Sequence, residues 1–174
     1  MKSIIISILF STVLFVDSFG QVKDASQNLK QQAGKMGAVF VSGDYTTFAK
    51  YTYPKLLAAM GGETKMEQSL AKVVNDMKLK GMSFNAITFD EPSKIIKSGK
   101  ELQATIAQHT DIKVPDGRAV STSTLIAIST DNGINWKFID TSNKNIAALR
   151  KAMPNLSTTI TIPPQQPPVH YNLE

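Results

Sequence analysis

Few residues in this chain could do chemistry. His109 stands two residues before Asp111 in Gln108-His109-Thr110-Asp111. On a strand, that spacing puts both side chains on one face, where a carboxylate could orient an imidazole as a general base. The bland alternative is a surface histidine. The second histidine, His170, lies near the C-terminus. Tyr45, Tyr51 and Tyr53 form a second group. Their rings can close an apolar layer, or line a pocket in which the hydroxyls read a small ligand. Ser129 to Trp136 spells S-x-D-x-G-x-x-W. There Asp131 can accept a turn N–H, Gly133 can take positive φ, and Trp136 can fold over the hairpin or stack on a sugar. The chain has 2 histidines and no cysteine. Thiolate sites and cysteine nucleophiles are therefore excluded, and neither a metal nor a cofactor is expected. No G-x-S-x-G, H-E-x-x-H, P-loop or dinucleotide glycine pattern occurs. These residues assign no catalytic group. They make Tyr45, Tyr51, Tyr53 and Trp136 the candidate ligand-binding residues, for a small apolar or carbohydrate-like ligand.

The elements that must position them change period halfway along. Val22, Ala25, Leu29, Ala33, Met36 and Phe40 recur at helical spacing. Gly43 ends that helix and Asp44 can cap the next, which carries Tyr45, Phe48 and Tyr51. Pro54 suits the first turn of a third helix, and Gly61-Gly62 breaks it. Glu63 to Lys80 reads as a helix with a stripe of Met66, Leu70, Val73, Val74 and Met77, acids at its start and lysines at its end. Strands follow at Phe84 to Asp90 and around Ile95-Ile96. From Leu102 the period is two, with Leu102, Ala104 and Ile106 on one face and His109 on the other. Asp90 and Glu91 read as solvent-facing acids. Val114-Pro115-Asp116-Gly117 is a turn, Arg118 to Thr130 a long strand, and Asp131-Asn132-Gly133 a second turn into Ile134 to Asp140. Three strands joined by tight turns form an antiparallel meander. The inward set on the middle strand stays open: Val120 or Ser121, Thr122 or Ser123, Thr124 or Leu125. Ser142 or Asn143 can cap a last helix carrying Ile146, Leu149 and Met153, and Thr158 to Ile162 reads as extended. Residues 163–174 form a Pro-rich tail, extended or loose.

At the N-terminus, Met1-Lys2-Ser3, the apolar run Ile4 to Val16, and small residues at Ser18 and Gly20 spell a secretory signal peptide over residues 1–20. Its rival, a retained anchor, needs a run of roughly 20 residues. Cleavage before Gln21 leaves a domain over residues 21–162, exported to the periplasm or beyond and not inserted in a membrane. The net charge is +5, but both signs are interspersed. A nucleic-acid surface would need a basic stripe with aromatics between, so nucleic acid is not an expected partner.

The Asp-box string is familiar from the propeller blades of sialidases. A propeller needs several blades of about 40 residues each. Here the string occurs once, after a helical half, so it marks one hairpin. Helices followed by an antiparallel meander give an α+β fold class. "GDYTTFAKYTYPKLLAAMGG" (43–62), "ELQATIAQ" (101–108), "IAISTDNGINWKFIDTS" (126–142) and "TIP" (161–163) carry a resemblance to the nuclear transport factor two-like superfamily, the cystatin-like cone fold, and within it to small exported Bacteroidetes proteins. The resemblance implies N-terminal helices packed on a strongly curved antiparallel sheet around a conical pocket, and pairing into a homodimer. It includes ketosteroid isomerase, scytalone dehydratase and polyketide cyclases, whose bases lie inside the cone. No motif here carries those bases over. The expected function is therefore a non-catalytic exported binding or interaction module. The alternative is a small isomerase, dehydratase or cyclase working inside the cone.

Overall fold

A computed structural model describes residues 18–142 and 144–172, with side chains from residue 24 onward. Residues 1–17 of the expected signal peptide (1–20) and the capping candidate Asn143 lie outside them. Four helices come first: α1 (Ser18–Ser42), α2 (Tyr45–Ala49), α3 (Pro54–Ala59) and α4 (Glu63–Leu79). Strands β1 (Ser83–Phe89), β2 (Ile96–Ser98), β3 (Glu101–Val114), β4 (Gly117–Ser129) and β5 (Lys137–Asp140) follow, then α5 (Ile146–Ala152) and β6 (Val169–Asn172). The six strands make one open antiparallel sheet, in the order β1-β3-β4-β5, with β2 also on β3 and β6 also on β4. The α+β class is as the sequence predicts.

The helical spacing in α1 has its expected consequence. Ala25, Leu29, Ala33 and Met36 are buried on Ala104 and Ile106 of β3, Leu125 and Ala127 of β4, and Trp136 and Phe138. Asp44 caps α2 by accepting the Thr47 N–H at 3.0 Å. In α4 only Met66 and Val74 of the apolar stripe are buried, while Val73 is 54% exposed. The stripe is narrower than predicted because α4 packs chiefly on α2. The β3–β4 register runs unbroken from Leu102↔Ser129 to Val114↔Gly117. Odd residues of β4 therefore face α1, which resolves the alternatives to Ser121, Ser123 and Leu125 inward.

The sheet's other face departs most from expectation. Ile126, Ile128 and Ile139 are buried there under Leu149 and Met153 of the α5 region and under Leu156 and Ile160. Gln103, on the polar side of the β3 alternation, is fully buried. Its amide N–H donates to Glu101 Oε2 at 2.7 Å and to the Asn155 carbonyl at 3.0 Å, and its oxygen accepts the Ser157 N–H at 2.9 Å. One side chain thus pins residues 153–160 across the sheet. Gln103→Leu keeps the bulk but takes the acceptor from the part-buried Ser157 N–H, while the Asn155 carbonyl keeps the Ser98 hydroxyl at 2.8 Å, and it should cost about 1–3 kcal/mol in urea unfolding. An unchanged midpoint would show that residues 153–160 do not depend on it.

Three further differences have local causes. The α5 cap is Asn145, which accepts the Ala147 N–H at 2.7 Å, rather than Ser142 or Asn143. Residues 158–162 form no strand, although Ile160 is buried. The tail is extended but laddered: β6 pairs with Gly117–Val120 of β4. Tyr171 lies under the Arg118 guanidinium, 4.5 Å from the ring centroid. Gly117 is required there, since a Cβ would stand 2.0 Å from the Tyr171 carbonyl oxygen.

Candidate functional site

The Asp-box is a hydrogen-bonded hairpin. The Ser129 hydroxyl donates to Asp131 Oδ1 at 2.8 Å and accepts the Gly133 N–H at 2.9 Å. Asp131 also accepts the Asn135 N–H at 2.8 Å and the Asn135 amide at 2.7 Å. The Trp136 indole N–H donates to the Gly133 carbonyl at 3.1 Å, and the ring is 1% exposed. No face of the ring is left open for a sugar. Asn28 and Gln32 of α1 grip the turn from outside, through the Gly133 and Ile134 carbonyls and the Trp136 N–H. Gly133 has φ +86°, and a Cβ there would lie 2.7 Å from Ala25 Cβ.

Burial pushes the Asp131 carboxyl up, but the bonds from Asn135 and Ser129 outweigh it and hold it below the ordinary carboxylate range. A depressed folded-state value adds stability that is fully present above the unfolded value of about 3.9 and is lost as the pH falls through the folded one. Asp131→Asn should flatten acid unfolding below about pH 4 relative to the parent. Parallel acid curves for the two would refute this role.

The three tyrosines do not converge. Tyr45 stacks edge-on against Phe40, with centroids 5.7 Å apart, and burial raises its hydroxyl. Tyr51 packs on the α1-side core and lines a polar recess of about 410 Å³ with Asn28, Gln32 and Lys50. Tyr53 packs on the opposite cluster, where burial first and the Glu101 charge second raise its hydroxyl.

His109 faces away from the helices, as the alternation predicts, but its partner differs. Its Nε2 lies 3.0 Å from Asp90 Oδ1, and its Nδ1 lies 3.0 Å from the Thr122 hydroxyl. Asp111 instead accepts from Arg118 at 2.7 Å and Asn85 at 3.1 Å. Asp90 and Glu91 face solvent, as the sequence predicts, and each also has a partner, Asp90 in His109 and Glu91 in Lys30. A carboxylate, an imidazole and a hydroxyl in line could orient a base. This group lies on the outer sheet face, open to water.

The space between the helices and the sheet is elsewhere. A cavity of about 460 Å³ separates the helices from the far ends of β3 and β4. Met36, Phe40, Phe48, Met66 and Leu70 line its helical side, with Phe84 and Ile87 of β1. Phe40 anchors that wall, edge-on to Phe48 at 5.0 Å and to Phe84 at 4.9 Å. Gln108, Thr110, Ser121 and Ser123 line its sheet side. Among the described residues, its ionisable lining residues are Asp140 and Lys144. Asp140 accepts the Ser142 N–H and hydroxyl at 2.8 and 2.7 Å, and the Lys144 ammonium donates to the Asp140 carbonyl at 2.7 Å. None of Tyr45, Tyr51, Tyr53, Trp136 or His109 lines this cavity.

The arrangement can hold an apolar group and offer it hydroxyls and an amide. Ser121 and Ser123 are among the inward alternatives that the sequence leaves open on β4, whereas Thr110 of β3 lies beyond the apolar alternation of Leu102, Ala104 and Ile106. Among the described residues no cluster of three His, Asp or Glu could hold a metal, and no helix is long and apolar enough to cross a membrane. Compared with known protein families, curated proteins and solved structures, the chain matches none of them.

Proposed function

We propose that the protein is a non-catalytic exported binding module that takes a small, mainly apolar ligand in the cavity between its helices and its sheet. The observation that carries this reading is the cavity's lining: a Met, Phe and Leu wall facing a row of neutral hydroxyls and the Gln108 amide, with Gln165, Asp140 and Lys144 also in the lining, the make-up of a ligand site that orients a bound group. The finer fold reading belongs to the same proposal. A cone of the nuclear transport factor two-like kind is supported by helices over one sheet face with a cavity between them. Export to the periplasm or the medium follows from the signal-like residues 1–20, and a homodimer remains part of the proposal by resemblance. An isomerase or dehydratase would need a base converging on the cavity. His109 is instead bonded to Asp90 and Thr122 on the other face, and the exposed Asp140 carboxylate in the cavity lining is taken up by the Ser142 N–H and hydroxyl.

An anilinonaphthalene dye titrated into the native protein tests this reading. Ser123→Phe fills space that about two ligand methylenes would occupy. It should weaken binding about tenfold, at roughly 0.8 kcal/mol per methylene. Equal affinity in parent and variant would place the dye elsewhere and sink the proposal.

A further inference from the structure

The outer edge of β4 is interrupted. β5 pairs with Leu125–Ile128 and β6 with Gly117–Val120, which among the described residues leaves Ser121–Ser123 without a strand on that side. The matching interruption on β3, between β1 and β2, is closed by the chain itself. There the Asp90 N–H reaches the Ala107 carbonyl at 3.1 Å, and the Ser93 N–H reaches the Thr105 carbonyl at 2.8 Å. Among the described residues, the bond to β4 next to this gap comes from Thr141, whose N–H and hydroxyl both donate to the Thr124 carbonyl at 3.1 and 2.7 Å.

Peptide groups along an antiparallel strand point alternately to its two neighbours. Because Thr124 bonds towards β5, Thr122 must aim its own N–H and C=O into the gap. Both are strong groups that want partners. The gap also joins two spaces. Thr122, Ser123, Ser142, Lys144 and Gln165 line both the apolar cavity and a second one, about 420 Å³, bounded by Ile146, Ile162 and Pro163.

We infer that the ligand of this site is an N-acyl amino acid or N-acyl peptide end, its alkyl chain in the apolar cavity and its first residue laid in the gap opposite Thr122. The inference rests on the cavity being a ligand site. One extended residue supplies an N–H for the Thr122 carbonyl and a carbonyl for the Thr122 N–H, the reciprocal pair that a strand residue makes when it is added to a sheet edge. The alternation of side chains then sends that residue's side chain to the outer cavity and the chain on its nitrogen towards the apolar one. A simple hydrocarbon would leave both Thr122 groups unpaired on losing water, and a free carboxylate would meet Asp140 as well as Lys144.

The test is calorimetric titration with N-dodecanoyl-alaninamide and with its ester analogue, O-dodecanoyl-lactamide, which lacks only the N–H. The amide should bind about three- to tenfold tighter, the worth of one net hydrogen bond. Thr122→Pro deletes an N–H that serves the open edge and not the β3 ladder, and should weaken the amide by a similar factor. Trp136 emission reports whether that variant folds. If it does not, the amide–ester comparison on the parent decides. N-dodecanoyl-trialaninamide separates the sources: tighter binding than the single residue assigns an acylated peptide end, and weaker binding a free acyl amino acid. Equal affinity for amide and ester, with the anilinonaphthalene dye still bound, overturns the inference and leaves the cavity as a ligand site. Loss of dye binding to the cavity overturns that site itself.

Discussion

Trp136→Ala should lower the melting temperature by about 6–20 °C. The ring is 1% exposed and sits where α1, β3 and β5 meet. Truncating a buried tryptophan to alanine costs about 3–5 kcal/mol, from lost transfer and from the cavity left behind. In a domain of this size each kcal/mol moves the midpoint by about 2–4 °C. The indole N–H also satisfies the Gly133 carbonyl, but Asn28 shares that carbonyl at 2.6 Å, so the turn keeps a partner. The loss should therefore appear as reduced stability with the hairpin still formed. A variant with the parent's melting temperature and lost glycan binding would return Trp136 to the role of a sugar platform.

Ile126→Ala should cost about 2–5 kcal/mol, a fall of about 4–20 °C. Ile126 lies on the sheet face away from α1 and is fully buried under the α5 region. A solvated face would give a different result, because an exposed isoleucine on a strand costs within about 0.5 kcal/mol. The variant thus measures whether Leu149, Met153, Leu156 and Ile160 cover the sheet in solution. A change below about 1 kcal/mol would mean that this cover is absent or readily lifted.

Where two physical signals agreed, the sequence was readable. The spacing of Ala25, Leu29, Ala33 and Met36 fixes a helix face, and Gly43 with Asp44 fixes where it ends. Pro115-Asp116-Gly117 and the alternation of Leu102, Ala104 and Ile106 fix the β3–β4 hairpin and put His109 on the far face. Other features depend on contacts that no local pattern encodes. Residues 153–160 have neither period, so their packing on Gln103 and Ile126 is visible only in three dimensions. His109 takes Asp90, two residues past its direct partner Thr88, while Asp111 is already engaged by Arg118 and Asn85. The cavity escaped for a similar reason. Ser121 and Ser123 are neither apolar nor charged, and alternation alone could not say which face they occupy. The tyrosines drew attention as polar-tipped rings, yet their positions at the ends of short helices disperse them over three environments.

The cavity as a ligand site is tested most directly by methyl NMR of the protein labelled at methionine. Met36, Met60 and Met66 line the cavity, whereas Met153 is buried in the cluster on the opposite sheet face. Titration with N-dodecanoyl-alaninamide should shift the first three methyl signals in a saturable way and leave Met153 in place. Saturable shifts confined to Met153, or no shift at Met36 and Met66 at ligand concentrations that saturate the calorimetric signal, would contradict binding between the helices and the sheet.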